Sequence, residues 1–307
     1  MTIGVVVNPA AGGGQLRAAW PALAAVLEQR LGPLAVLFTS GPGQGAELAQ
    51  QHLRNGARML IAAGGDGTTN ETVDGILRVG GTPELGIIPV GTGRDFIRTL
   101  GMERNQNAAV EALCTGRTRQ VDAGRVTYTG DDGKPGVRHF LNVASLGVSG
   151  PTVRAVNASK RAKRLPPKLA FYVHTLAEMM KYRPQDVRVR FEDGTSIDVR
   201  TALVVIANGR YFGGGMMIAP DASLDDGLFD VLVYRAEGKL RMLFDFNLIY
   251  KGAHTKLPRV TIKRTRSVEV TAIGGPKNAA ILDIDGESPG RIAAKFEVLP
   301  KALTLRA

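Results

Sequence analysis

The chain has 307 residues, 44% of them hydrophobic and 22% charged, with a formal net charge of +11 from 39 basic against 28 acidic residues. That length is more than one hydrophobic core usually fills, so two domains are expected, and the composition excludes an intrinsically disordered chain. The lone Cys114 excludes an internal disulfide framework and fits a reducing cytoplasm, while the basic balance favours an anionic partner.

The opening TIGVVV reads as a strand with Ile3, Val5 and Val7 alternating, where a signal peptide needs a basic start and a longer apolar stretch. NPAAGGG ends it, and Leu16, Trp20, Leu23, Leu27 and Leu31 then recur at helical spacing. The same order returns three times: PLAVLFTS before a helix around Glu47 to Leu53, RMLIAA before Thr69 to Val79, and LGIIPV before Arg94 to Leu100. Such alternation predicts a parallel sheet covered by helices. After about residue 123 the rhythm changes to short alternating segments, among them VRVRF, TALVVIANG, LFDVLVY and SVEVTAI, which predict a mainly antiparallel sheet. Helices are expected over Lys168 to Tyr182 and Lys239 to Lys251, and the final KFEVLPKALTLRA suits either core. Nowhere do about 18 apolar residues run together, so any membrane contact is expected to be peripheral.

Ligands of a parallel sheet bind at the carboxyl ends of its strands. Four loops at those ends are rich in Gly, Thr and Asn: 8–14 (NPAAGGG), 39–45 (TSGPGQG), 64–70 (GGDGTTN) and 91–95 (GTGRD). Glycine lets successive N–H groups approach phosphate oxygens, and the following helix adds its N-terminal partial charge. Any one of these loops is equally well a tight turn with a helix cap; four in succession favour a phosphate site. Asp66 is an anion and cannot hold phosphate directly, so its use there is to hold Mg²⁺, directly or through water. Neither G-x-x-x-x-G-K-[ST] nor G-x-G-x-x-G with its later acid is present.

NPAAGGG, AAGGDGTTNETVDGI, GIIPVGTGRDFIRTLG, VDAGRV, HFLNVASLGVSG, NGRYFGGGMMIAPDASLDDGLFDVLV and LDIDGE follow one another in an order that resembles the diacylglycerol kinase catalytic-domain family, in particular its soluble bacterial lipid kinases. The GGDGT block alone is shared with NAD kinases and phosphofructokinase-like folds. The resemblance covers essentially the whole chain. It implies an α/β, NAD kinase/phosphofructokinase-like nucleotide domain (1–122 plus 293–307) and a β-rich, β-sandwich substrate domain (123–292). It further implies transfer of the γ-phosphate of ATP to a lipid hydroxyl, with Asn8, Pro9, Ala10, Ala11, Gly12, Thr39, Gly64, Gly65, Asp66, Gly67, Thr68, Thr69, Asn70 and Thr92 binding ATP. Mg²⁺ would sit at SLDDGL, held by the Asp226 carboxylate and the Ser223 and Leu228 carbonyls, with Asp66 and Asp122 reaching it through water. Arg94 stands where many members have Asn, so this loop departs from the pattern.

A phosphoryl acceptor needs a group to orient or deprotonate its hydroxyl. LDIDGE offers Asp283, Asp285 and Glu287, which on an extended segment would share one face and raise one another's pKa. The resemblance selects Asp285 and Glu287, with Glu287 favoured as proton acceptor and Asp285 as its neighbour. Read without it, D-G marks an acidic hairpin turn.

The basic run Arg154, Lys160, Arg161, Lys163, Arg164 and Lys168 before an apolar helix suits peripheral contact with anionic lipid at the inner membrane face. The competing functions are an NAD kinase-like enzyme, using Asn70 and Glu71, and a non-catalytic basic nucleotide- or nucleic-acid-binding protein. No nucleic-acid partner is expected, because no RRM, KH or zinc-finger pattern occurs. Edge strands would allow a homodimer, and no segment demands one.

Overall fold

The alternation of apolar runs with helical periodicity becomes, in the computed structural model, a set of elements over residues 2–91, 93–102, 106–159, 167–275 and 279–306, the residues the structure describes. Thr92 and the basic residues Lys160, Arg161, Lys163 and Arg164 lie outside the described residues. Two units emerge: Met1–Ala123 with Pro300–Ala307, and Gly124–Leu299.

In the first unit, β1 (Ile3–Val7), β2 (Leu34–Phe38), β3 (Met59–Gly64) and β4 (Glu84–Pro89) are parallel, in the lateral order β4, β3, β1, β2. They alternate with α1 (Gln15–Leu31), α2 (Gln44–Arg54), α3 (Asp66–Arg78), the single turn and a half of α4 (Asp95–Leu100), and α5 (Gln106–Thr115). Every residue of β1 and β3 is buried. The alternation in TIGVVV is therefore incidental: strands covered by helices on both faces need apolar residues at every position. Leu16, Trp20 and Leu27 of α1 join Val5, Val7, Ile61 and Ile88 in one core cluster.

Helix α3 begins at Asp66, three residues before the start expected from apolar periodicity. Gly65 is its extended N-cap, and Thr69 N donates to Gly65 O at 3.1 Å, closing the first turn. Most of the expected GGDGTTN loop is therefore the N-terminal turn of a helix.

The second unit carries β5 (Thr118–Gly130), which starts in the first unit, then β6 (Pro135–Phe140), β7 (Val143–Gly147), α6 (Ser149–Ala158) and α7 (Pro167–Lys181). It continues with β8 (Gln185–Phe191), β9 (Ser196–Ala207), the short β10 (Tyr211–Phe212) and β11 (Met216–Met217), β12 (Phe229–Arg235) and α8 (Lys239–Ile249). Last come β13 (Val260–Thr265), β14 (Ser267–Ala272), β15 (Leu282–Ile284) and β16 (Gly290–Arg306). The main path runs β13, β12, β9, β8, β14, β16 with antiparallel neighbours, and β7 pairs β9 on one side and β15 on the other. Phe140 stacks on Phe229 with centroids 5.6 Å apart and meets the edge of Phe296 at 6.5 Å, at the centre of this core.

Helix α6 was not legible because Gly150 and Pro151 look like a turn. Pro151 occupies the first helical turn, where a missing N–H breaks no hydrogen bond. Strand β16 resolves the ambiguity of the C-terminal segment by serving both cores. Its residues Ala294 to Glu297 pair antiparallel with β14, and Thr304 and Leu305 pair parallel with Glu84 and Leu85 of β4.

Gly75 is the close point between α2 and α3: a Cβ there would stand 2.3 Å from the Ala46 carbonyl oxygen. Alanine gains about 1 kcal/mol of helix propensity over glycine, but the overlap is with backbone and cannot be relieved by a rotamer change. Gly75→Ala is expected to destabilise the protein by about 1–3 kcal/mol, read as a lowered thermal unfolding midpoint; an unchanged or raised midpoint would show that the two helices separate freely.

Candidate active site

Because the strands of the first unit are parallel, the loops after β1, β2, β3 and β4 all leave from the same edge of the sheet. Side chains wire these loops together. Asn8 Nδ2 donates to Thr68 Oγ1 at 3.1 Å, while its Oδ1 accepts from Ala10 N at 3.0 Å, tying the first loop to the start of α3. Gly12, Gly13 and Gly14 follow with φ of 63°, 69° and 92°, a left-handed run that leaves no Cβ beside their N–H groups. Pro9, Ala10 and Ala11 form the bend into it. Thr39, at the end of β2, is buried, and its N–H donates to Val7 O at 2.8 Å.

Glu71 joins the second loop to α3: its two carboxylate oxygens accept from Gly43 N and Gly45 N, each at 2.8 Å. The residue that an NAD kinase-like reading would assign to a ligand is thus engaged with main chain. Asp66, half-buried on the first turn of α3, accepts from Phe96 N at 3.4 Å, and its Oδ2 lies 2.6 Å from where a Cβ of Gly93 would be. Arg94, at φ 54°, turns its Nε to Gly91 O at 2.7 Å and so braces its own loop. Gly64 ends β3, and Gly65 and Gly67 flank Asp66; Thr68, Thr69 and Asn70 behind it are buried, and Asn70 Oδ1 has no hydrogen-bond partner among the described residues. A buried, unsatisfied acceptor in the wall of a glycine-lined rim fits a ligand that brings an amino or hydroxyl donor, as a nucleotide does. Asp122 is fully buried, and Lys301 N donates to its Oδ1 at 2.7 Å.

In the second unit, LDIDGE is a two-residue hairpin rather than an extended run. Ile284 and Glu287 exchange N–H···O bonds of 2.7 and 3.0 Å, and Asp285 and Gly286 between them have φ of 46° and 87°. The three carboxylates therefore do not share one face, because the alternation ends at the turn.

Asp283 lies on β15 opposite Ser145 of β7 and is buried. Burial pushes its carboxyl up to about 7, with the Asp285 charge adding to the effect and the Gly286 N–H and Ser145 opposing it. Ser145 Oγ is 3.2 Å from Asp283 Oδ2 and 2.8 Å from Ser149 Oγ, so the two hydroxyls and the carboxyl form one hydrogen-bonded chain. Asp285 accepts from Leu141 N at 2.7 Å, Val143 N at 2.8 Å and Asn142 N at 3.2 Å, and its own N–H donates to Val143 O at 3.0 Å. Glu287 is partly exposed and forms an ion pair with Arg138 of β6. Arg138 is a residue that the sequence did not single out, since a side-chain ion pair links it to a position 149 residues away.

SLDDGL is a turn in which Leu228 N donates to Asp226 Oδ1 at 3.0 Å and Ser223 Oγ donates to Asp225 Oδ1 at 2.7 Å. One carboxylate and two carbonyls give the all-oxygen donor set that a hard divalent cation takes. Arg264 of β13, also unforeseen, pairs with Asp226 and reaches Asp230 at 3.7 Å. Burial raises the Asp230 carboxyl, against the pull of Arg264. The Gly213–Gly215 bend is packed: Met216 is buried and Phe171 crowds Gly213, so Tyr211 and Phe212 are half-buried.

Residues 2–126 match the diacylglycerol kinase catalytic domain, and residues 142–307 match the YegS C-terminal NAD kinase beta sandwich-like domain. A diacylglycerol kinase of Staphylococcus epidermidis is 27% identical over 292 residues, covering 95% of this chain and 87% of that protein. One of Staphylococcus saprophyticus is also 27% identical, covering 95% and 90%. The crystal structure of a diacylglycerol kinase from Bacillus anthracis shares the fold with a TM-score of 0.78 at 24% identity, over 99% of this chain and 96% of that one. Yeast NADH kinase in complex with NADH superposes more loosely, with a TM-score of 0.53 at 12% identity over 99% and 83%. Two domain matches in sequence order, with relatives aligned over nearly the full length, establish that the chain belongs to the diacylglycerol kinase family and is a lipid kinase.

Proposed function

We propose that the chain transfers the γ-phosphate of ATP, in the presence of Mg²⁺, to the hydroxyl of diacylglycerol or a related membrane lipid. The observation that carries this reading is the division of labour in the 282–287 hairpin. Asp283 is buried and favours its protonated form, Asp285 is committed to three main-chain N–H groups, and Glu287 remains as the partly exposed carboxylate.

In this reading Asn8 to Gly12, Thr39 and Gly64 to Asn70 hold ATP, and Thr92 belongs to the same set. The N–H groups of the glycine run and of the α3 N-terminus face phosphate, and Asn70 Oδ1 accepts from a nucleotide donor. A bound divalent cation neutralises charge that builds on the phosphates. Ser223, Asp226 and Leu228 would hold it, with Asp66 and Asp122 acting through water. Glu287 takes the proton of the lipid hydroxyl as that oxygen bonds to phosphorus and ADP leaves. Arg138 orients Glu287, and Asp285 fixes the hairpin that presents it.

Glu287→Gln is expected to lower kcat for lipid phosphorylation by about 100-fold or more with the thermal midpoint unchanged, in an assay with labelled ATP and a lipid extract. Undiminished turnover would remove Glu287 from this role, and label entering NAD alone would remove lipid as the acceptor.

Arg264 and a divalent cation compete for Asp226. In thermal unfolding without nucleotide, Arg264→Gln is expected to gain a larger Mg²⁺-dependent rise in midpoint than the unaltered protein, and Asp226→Asn to show none. Equal rises in all three proteins would put the cation elsewhere.

Asp283 gives the hairpin a pH signature. Its folded pKa, about 7, lies above the ordinary carboxyl value of about 4, so the folded state holds the proton more tightly than the unfolded chain does. Its contribution to stability is therefore full below about pH 4, declines as pH rises, and is gone above about pH 7. Asp283→Asn should flatten this part of the stability profile, measured by urea unfolding at several pH values across that window.

A further inference from the structure

A helix at a protein surface normally turns a polar face to water. On α7 the outward positions Leu169, Val173, Ala177 and Met180 are exposed and all apolar, while Thr175 and Met179 point inward and are buried. On the neighbouring α8, Leu240 and Phe244, one turn apart, are 71% and 78% exposed, the highest values among the large hydrophobic side chains of the described residues. The two helices are packed together: Tyr172 meets Phe246 with ring centroids 5.4 Å apart, and Lys239 Nζ donates to Met180 O. That last contact brings the exposed end of α7 to the start of α8. The two stripes therefore form one apolar face rather than scattered exposed residues.

The rim of this face is basic. Lys181, Arg183, Lys239, Arg241 and Lys251 are exposed around it. Lys181 and Arg241 are paired with the acids beside them, Glu178 and Glu237, so the positive charge the rim keeps is that of Arg183, Lys239 and Lys251. We infer that the α7–α8 face is a docking surface for an anionic lipid bilayer, with Leu240, Phe244 and the outer stripe of α7 entering the headgroup and acyl boundary and the surrounding cations contacting lipid phosphates.

Charge decides between occupants. A second copy meeting this face about a two-fold axis would set the same cations against each other, whereas an anionic membrane complements them. No described helix is long and apolar enough to cross a membrane, so contact through these helices is contact with its surface. The inference goes beyond the proposed reaction: it depends on the lipid acceptor only for its use, since membrane binding needs neither ATP nor turnover.

The test is flotation of the full chain with phosphatidylcholine vesicles and with mixed phosphatidylcholine/phosphatidylglycerol vesicles, without nucleotide. The unaltered protein should float with the mixed vesicles, less so at high salt. The double variant Leu240→Ser, Phe244→Ser should lose on the order of tenfold or more in vesicle affinity, while keeping its thermal midpoint and its phosphorylation of a detergent-dispersed diacylglycerol. Flotation equal in both proteins would overturn the inference, as would failure of the unaltered protein to float. So would light scattering that finds the unaltered protein a dimer and the double variant a monomer, which would give the face to a second copy. A protein that floats as expected but leaves dispersed lipid unphosphorylated would count against the proposed reaction and leave the docking surface standing.

Discussion

The carboxylate of Asp285 accepts three successive main-chain N–H groups, those of Leu141, Asn142 and Val143, and returns its own N–H to Val143 O. Those amides lie at the entry to β7, where no strand partner claims them, and a carboxylate is the strongest acceptor available for such a group. To reach them Asp285 adopts a left-handed conformation, which costs a non-glycine residue about 1–2 kcal/mol, and the flanking chain must fold as a tight hairpin. Once the hairpin is closed, the fates of its other acids follow. Asp283 is fixed one register step inside, against Ser145, and Glu287 emerges on the returning arm beside Arg138. One electrostatic clamp thus separates three chemically similar carboxyl groups into a buried group with a raised pKa, a structural anchor and a partly solvated acid.

The same device recurs in the first unit with different residues. Glu71 accepts the N–H groups of Gly43 and Gly45, and Asn8 bridges Ala10 N and Thr68 Oγ1. Glycine-rich turns have little side-chain packing of their own and lose much conformational entropy on ordering. Side-chain acceptors on α3 and at the end of β1 supply what the turns lack. Preorganised turns matter for phosphate binding because N–H groups already aimed at a ligand need no reorganisation when it arrives. Glu71 is informative in this respect: with both oxygens given to backbone, its role is to shape the rim rather than to touch what lies in it.

How much of this was legible in the sequence depends on how local the physics is. The βα rhythm up to about residue 123 was readable because burial on two faces and helical periodicity both act within a few residues; β1, β3 and β4 fall where the apolar runs fall. The start of α3 was misjudged because Asp66 to Thr68 carry no apolar signal, and Gly65 alone sets the boundary. Helix α6 was hidden by a Gly-Pro pair that is permissible in a first turn. For the hairpin, D-G pointed to the turn, yet the spacing of its three acids pointed to a shared face; the turn prevailed because Ile284 and Glu287 close it with two hydrogen bonds. Arg138 and Arg264 were invisible for a plainer reason. Each meets its acid through a side-chain contact far along the chain, and nothing in their neighbours announces it.

Those two arginines also change what the chain's positive charge means. Read as a total, +11 points outward, to an anionic partner. Read residue by residue, several cations are spent on acids of the chain itself: Arg138 on Glu287, Arg264 on Asp226, and Arg259 on Asp245 at 2.5 Å, where desolvation works against the pair and a hydrogen bond from Tyr234 supports it. The partly exposed pairs at Glu287 and Asp226 contribute little to stability, but they set the electrostatic environment in which a carboxylate works. Arg264 illustrates the point: a guanidinium at Asp226 neutralises the charge a divalent cation would meet there, so any affinity of that turn for metal would be a difference between two cations rather than a property of the acids alone. Around the ends of α7 and α8 the same pairing takes Lys181 and Arg241, on Glu178 and Glu237, and it is the charge of Arg183, Lys239 and Lys251 that remains to act on something outside the chain.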